Sequence, residues 1–408
     1  MNRLASPSTI RVMEIRSKRL AALPPYLFVE IDRKRRARVA AGADVINLGI
    51  GDPDRPTPSF ILDAMTQAMR DPTHHRYPPS EGTVEFRRAA ARFMKKRFGV
   101  EADPDRHIVA CIGSKEGIAH LPLAVTDPGD TILIPRPCYP VYVAGAVFAG
   151  ARVEEVPASA QTGWLPPLDG ITRETWSRSK LLWLNYPNNP TAACVDPSFY
   201  ARALALARPA GTIVASDQAY SEIFFESRPA SLWQAEGAAL ETTRAIEFHS
   251  LSKTFNMTGW RVAFAVGHPE VVGALAAVKA NCDSGQFGAV QQAGAVALDH
   301  ADHAEVEAMR REYRLRRDAL IPGLRRIGCG VEPPAAGFFV WARCPLVGGR
   351  EMDSMRFASR ALEEADVVVV PGAGFAEEAR GWFRIALTVE VDRLREAVDR
   401  LARVDWTR

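Results

Sequence analysis

One lysine in this chain of 408 residues stands in a setting where its amine can act as a nucleophile. Lysine is scarce here, with eight against forty-three arginines. Most of the eight, such as Lys95 and Lys96, lie in charged helical stretches that read as solvated faces. Lys253 differs, because it follows an apolar run within His249-Ser-Leu-Ser-Lys-Thr-Phe-Asn-Met-Thr-Gly-Trp-Arg261. A lysine in a partly desolvated pocket loses its proton more readily and becomes the amine that Schiff-base chemistry requires. Ser250, three residues before it, and Arg261, eight after it, offer a hydroxyl and a guanidinium to a phosphate.

Other segments carry compatible chemistry, each with a plainer reading beside it. Ile112-Gly113-Ser114-Lys115-Glu116-Gly117 follows a strand and opens a helix, where free backbone N–H groups favour a phosphate; it reads equally as an ordinary turn with a Ser cap. It matches neither a Walker loop nor a dinucleotide fingerprint. Gly49-Ile50-Gly51 lacks a third glycine and reads as a tight turn. Asp217 and Tyr220 are three apart after an apolar run. Asn189, before Pro190, is also a natural turn residue, and Tyr139, between a Cys and a Pro, is also ordinary turn packing. Arg384 lies within the strand-like Trp-Phe-Arg-Ile-Ala-Leu-Thr, so it must face solvent or meet a buried anion. The histidines show no metal pattern, and no metal is assigned.

The elements that must position these groups follow from alternation of short β-branched runs with helix-length stretches, an α/β signature. Strands are predicted at Val45–Ile50, Ile108–Ile112, Thr131–Ile134, Lys180–Tyr186, Thr212–Ser216, Ala245–Phe248 and Val262–Val266, most of them in one mainly parallel sheet. A long helical pattern then runs through Arg310–Leu320, before strands at Gly337–Trp341, Val367–Val370 and Phe383–Thr388 and a final helix from Val391. The expected division is 1–44 as an N-terminal arm and part of the small domain, 45–290 as a large domain, and 291–408 as a small α+β domain. Asp217, Asn188-Asn189-Pro190 and Ser250–Lys253 each follow a strand. Ligands of open α/β sheets bind outside the carboxyl ends of strands, so these segments should converge on one crevice.

Composition removes several classes. A formal charge of +3 with both signs dispersed suggests no nucleic-acid surface, and no apolar run approaches the ~20 residues of a membrane span. Six scattered cysteines without a C-x-x-C pair argue against zinc or a disulfide framework and fit the cytoplasm. The Arg-, Lys- and Ser-containing start weakly resembles a transit peptide, but reads first as an arm of the mature chain.

Tyr186-Pro-Asn-Asn-Pro-Thr191, Asp217-x-x-Tyr220, Ser250-x-Ser-Lys253 and Arg384 together resemble the fold-type I, class I/II aminotransferases, from about Leu23 to the C-terminal helix. The resemblance implies pyridoxal 5'-phosphate as cofactor, a mostly parallel seven-stranded sheet with a smaller domain, and a homodimer with shared active sites. It implies that Lys253 carries the cofactor, that Asp217 pairs with the pyridine nitrogen, and that Tyr220 and Asn189 bond its phenolic oxygen. Tyr139 would stack on the ring. Ser114, Lys115, Ser250, Ser252 and Arg261 would hold or neighbour the phosphate, joined by Tyr77 of a second subunit. Arg384, with Gly51 and Asn189, would bind the substrate α-carboxylate. The freed Lys253 amine would then move the proton at Cα in a ping-pong exchange with a 2-oxo acid.

Within that family, Pro25-Tyr-Leu-Phe-Val-Glu-Ile-Asp-Arg-Lys, Gly113-Ser-Lys-Glu-Gly, the Lys253 segment and Asp283-Ser-Gly-Gln-Phe are most similar to LL-diaminopimelate aminotransferases of the non-plant branch. That likeness implies diaminopimelate or tetrahydrodipicolinate paired with glutamate or 2-oxoglutarate, in lysine biosynthesis, with Tyr26 and Glu81 at the substrate. Ser80 stands where plant-type members carry the acid that reads the distal ammonium, and the acid here is Glu81. Ala192 replaces the usual glycine after Asn-Pro-Thr. Alanine, aspartate or aromatic transamination is the alternative within the class, and β-elimination by a lyase the alternative outside it. A transcription regulator would need a DNA-binding module, and the first forty residues show no helix-turn-helix pattern.

Overall fold

The computed structural model describes residues 15–23 and 27–407, and the side chains of all of these except 27–30. Fifteen strands are described in chain order: β1 (Ile46–Asn47), β2 (Ile108–Cys111), β3 (Thr131–Arg136), β4 (Arg152–Pro157), β5 (Ser179–Asn185), β6 (Ile213–Asp217), β7 (Ala245–Ser250), β8 (Ala263–Gly267), β9 (Gly330–Val331), β10 (Phe339–Arg343), β11 (Leu346–Val347), β12 (Arg350–Glu351), β13 (Val367–Val368), β14 (Val370–Pro371) and β15 (Trp382–Ala386). Seven form the main sheet in the order β2-β8-β7-β6-β5-β3-β4. Its pairs are parallel except those of β8, which runs antiparallel to both β2 and β7.

The central strands are apolar on both faces because helices cover both. On β5, Leu182 and Leu184 enter one core cluster while Leu181 and Trp183 enter the other. That alternation is the two-residue period of a pleated strand, expressed here between two cores rather than between core and water. Helix ends follow local chemistry. Thr83 caps Val84–Phe98 through its hydroxyl, and Gly99 closes that helix at φ 72°. Asp196 caps Pro197–Ala207, with proline at the first helical position.

The strand expected at Val45–Ile50 shrinks to β1 and pairs in parallel with β13, outside the main sheet. Its place in that sheet is taken by β4, whose mostly unburied Arg-Val-Glu-Glu-Val-Pro pattern suits an edge and gave no apolar run to detect. A second sheet, β14-β15-β10-β9, gathers the C-terminal strands. The expected long helix is Ala304–Arg326 and the last is Val391–Leu401. No helix among the described residues is long and apolar enough to cross a membrane.

Candidate active site

The carboxyl ends of β5, β6 and β7 open on a cavity of about 390 Å³, closed on the far side by β10 and β15. Asp217 is the last residue of β6, and Ser250 the last of β7. Ser250 caps the short helix Leu251–Thr254 by accepting from the Ser252 N–H, and that turn presents Lys253 to the cavity. β2 leads through Gly113 into the helix Ser114–Val125, so Ser114 and Lys115 line the same space. Arg261 has a left-handed backbone, φ 56°, a conformation that non-glycine residues adopt at a cost and that often marks functional sites. Its guanidinium donates to the Thr258 carbonyl at 2.8 Å and lies against Gly113, whose φ of 73° and missing Cβ make room for it.

Arg384 answers the question its sequence context raised: it faces inward and is buried. Nη1 donates to Asn189 Oδ1 at 2.7 Å and Nη2 to the Gly49 carbonyl at 2.8 Å, while the Phe339 ring stands 4.3 Å from the guanidinium carbon. Asn189 thereby bridges two groups, since its side chain also hydrogen-bonds Tyr220. Lys253 Nζ donates to the Gly51 carbonyl at 2.8 Å. Burial lowers its pKa to about 8, against the pull of Asp52, and the cations Arg261 and Arg384 add to the lowering. Burial also pushes the Asp217 carboxyl up to about 6, although the Tyr142 phenol donates to Oδ2 at 2.7 Å and the Ala219 N–H to Oδ1 at 3.2 Å. Tyr220 is raised too, by burial and then by the charge of Asp217.

One cavity thus gathers a poised amine, a buried acid and a group of hydroxyl, amide and guanidinium donors. Residues 43–401 match the family model for aminotransferases of class I and II. The chain belongs to that family. It is 48% identical over 388 residues to the LL-diaminopimelate aminotransferase of Maridesulfovibrio salexigens, covering 95% of this chain and 98% of the relative. It is 47% identical over 386 residues to that of Aquifex aeolicus, covering 94% and 98%. Among solved structures, a single mutant of the Thermus thermophilus aspartate aminotransferase superposes with a TM-score of 0.88 at 31% identity, covering 96% of this chain and 100% of that one.

Pyridoxal 5'-phosphate is the cofactor of this aminotransferase, and the donor set suits it. A carboxylate desolvated as Asp217 is gains most from a cationic ring nitrogen beside it. The phosphate requires several donors at once, and Ser114, Lys115, Ser250, Ser252, Thr258 and Arg261 all line the cavity. Tyr139 lines it too, with its ring 6.0 Å from and perpendicular to that of Tyr142.

Not every expected residue is in this cavity. Tyr77 is 90% exposed and Glu81 is exposed, and neither lines it. Tyr26 falls outside the described residues. Sequence reading had also passed over Tyr142, Asn185, Thr258, Phe339 and Phe375, all but the first of which line the cavity. Asn185 ties the site's segments together, donating to the Asp217 carbonyl at 2.8 Å and accepting from the Asn189 N–H at 2.9 Å. No local signal marked Tyr142, because its role depends on Asp217, 75 residues away.

Proposed function

We propose that this aminotransferase exchanges amino groups between LL-diaminopimelate (or its oxo-acid form, tetrahydrodipicolinate) and 2-oxoglutarate or glutamate, as a cytoplasmic homodimer serving lysine biosynthesis. What carries the reading is identity of 45–48% along almost the whole chain to relatives that bear the name LL-diaminopimelate aminotransferase. When bound, pyridoxal phosphate supplies an aldehyde and an electron-withdrawing ring. The chain's own residues do the rest. Lys253 would hold the cofactor through its amine, and the free amine would take and return the proton at the substrate's Cα; a pKa near 8 suits both tasks near neutrality. Asp217 would keep the ring nitrogen protonated. Arg384 and Asn189 hold the α-carboxylate, and the Gly49 and Gly51 carbonyls hold the two cationic side chains in place.

In the dimer, Tyr77 reaches the phosphate and Glu81 the distal ammonium of the neighbouring site, in keeping with their exposure here. The test is consumption of LL-diaminopimelate with glutamate formed from 2-oxoglutarate, measured beside alanine, aspartate and phenylalanine. LL-diaminopimelate should be preferred by at least about a hundredfold in kcat/KM, because a site built for polar groups rejects analogues that lack them. Efficient use of alanine or aspartate with no response to LL-diaminopimelate would overturn the substrate and leave the cofactor chemistry standing.

A further inference from the structure

Behind the phosphate-facing turn lies a second charged cluster that the reaction does not use. Glu116, His120 and Asp283 bring their ligand atoms within 4.8 Å of one another. A cation of the protein's own bridges two of the three. Lys279, on the helix Pro269–Cys282, is completely buried, and its Nζ donates to Glu116 Oε2 at 3.0 Å and to Asp283 Oδ2 at 3.3 Å. Burial opposes the charge, yet Cys111, Glu116 and Asp283 together carry the lysine above its ordinary pKa. An ammonium so placed is a fixed cross-link, because it joins carboxylates of two separate segments and removing it takes the counter-cation from both.

What it cross-links gives it meaning. Glu116 lies in the first turn of the helix that begins at Ser114, one residue from Lys115. Its Oε2 also accepts from the Ile112 N–H at 2.9 Å, and its Oε1 bonds His120 Nδ1 at 2.6 Å. One carboxylate therefore fixes the strand end and the helix start on both sides of Gly113-Ser114. On the other side Asp283 accepts from the Gly285 N–H at 2.8 Å, and Gln286 donates to the Cys111 carbonyl at 3.1 Å. Gln291 continues the chain of contacts, donating to the Gln286 carbonyl at 2.8 Å and accepting from the Thr83 N–H at 2.7 Å. The 81–83 segment is tied back in turn, since the Ala110 N–H donates to the Glu81 carbonyl at 2.9 Å.

We infer that Lys279 is a positioning residue for the cofactor's phosphate, its buried ammonium locking the Gly113–Lys115 turn through Glu116 and the 283–286 loop through Asp283. It touches neither cofactor nor substrate. The inference rests on the reading that Ser114 and Lys115 hold the phosphate, so the experiment tests both. Lys279→Met and Ser114→Ala are compared with the wild-type chain for equilibrium binding of pyridoxal phosphate and of pyridoxal, which has the aldehyde and ring without the phosphate. Lys279→Met should weaken pyridoxal phosphate about ten- to a hundredfold, the loss usual when a group that orients ligands is removed. Pyridoxal binding should change far less, because it lacks the phosphate that the turn holds. Lys279→Arg, which keeps the charge, should recover most of the loss.

Should Lys279→Met fold poorly, Lys279→Met with Glu116→Gln and Asp283→Asn leaves no unpaired charge and must show the same phosphate-selective loss. Equal weakening of both ligands, or of neither, overturns the role of Lys279. If Ser114→Ala shows no phosphate selectivity either, the reading of the phosphate turn fails with it; if Ser114→Ala is selective and Lys279→Met is not, only the inference fails.

Discussion

The cofactor crevice and the Tyr77–Glu81 segment are built on opposite plans. In the crevice Asp217 and Arg384 are buried, Lys253 is half-buried, and all three are already partnered: Arg384 by Asn189 and Gly49, Lys253 by Gly51, Asp217 by Tyr142. In the segment Tyr77 stands 90% exposed and Glu81 is exposed. The difference separates two tasks. Shifting an amine to about 8 and an acid to about 6 requires desolvation, which one chain's packed interior supplies. Reading a substrate's far end requires only apposition, and on the dimer reading a second copy brings it.

The largest effect should come from the crevice. Lys253→Ala should lower transamination by about four orders of magnitude, the upper range for a general acid–base group. Borohydride should fix the cofactor to the Lys253 peptide of the wild-type chain, and label on Lys115 instead would break the assignment. The wild-type chain's capture of the cofactor aldehyde should rise with pH through about 8 and then level, because the proton lost there frees the amine. A capture rate flat from pH 7 to 9 would contradict it.

Asp217→Ala comes next, with kcat down by about three orders of magnitude, near the upper end for one member of a buried charge pair; near-normal turnover would show another group protonating the ring. Arg384→Ala should lose roughly 30- to 1000-fold in kcat/KM for every amino acid alike, since all carry the α-carboxylate. A loss confined to one substrate would move Arg384 into the side-chain pocket.

The exposed segment should respond more mildly and selectively. Glu81→Gln should lower kcat/KM for LL-diaminopimelate about tenfold while sparing glutamate, within the range for a hydrogen bond to a charged group. Hybrid dimers sharpen the contrast: a Lys253→Ala subunit paired with a Tyr77→Phe subunit should hold one site with both defects and one with neither. Activity in the hybrid equal to that of neither parent, but near half of wild type, is the expected outcome; no recovery would place Tyr77 outside the neighbour's site.

The smallest effect is structural. Ala192 sits at φ 58° beside the Asn-Pro-Thr turn. A left-handed backbone costs an alanine about 1–2 kcal/mol. Ala192→Gly should raise Tm by roughly 1–2 °C with kcat unchanged, and a fall in Tm would mean that the methyl's packing outweighs the backbone.

Much of this architecture was legible in advance because the relevant signals are local. Apolar β-branched runs at Ile108, Thr131, Lys180, Thr212, Ala245 and Val262 all became strands of the main sheet. Ser250, Lys253 and Arg261 all lie between the end of β7 and the start of β8, so their common destination was written in their spacing. The edge strand β4 escaped because alternating charged residues hide it, and β1 because two residues carry too little pattern to name a partner.

The sequence by itself determined which chemistries are present and that they follow strand ends. Only the tertiary structure decided which of them meet. Tyr142 reaches Asp217 across 75 residues, Arg384 reaches Asn189 across 195, and Lys279 reaches Glu116 across 163. Local periodicity records whether a residue is turned toward an interior, but when a sheet is covered on both faces it records neither which interior nor what waits there.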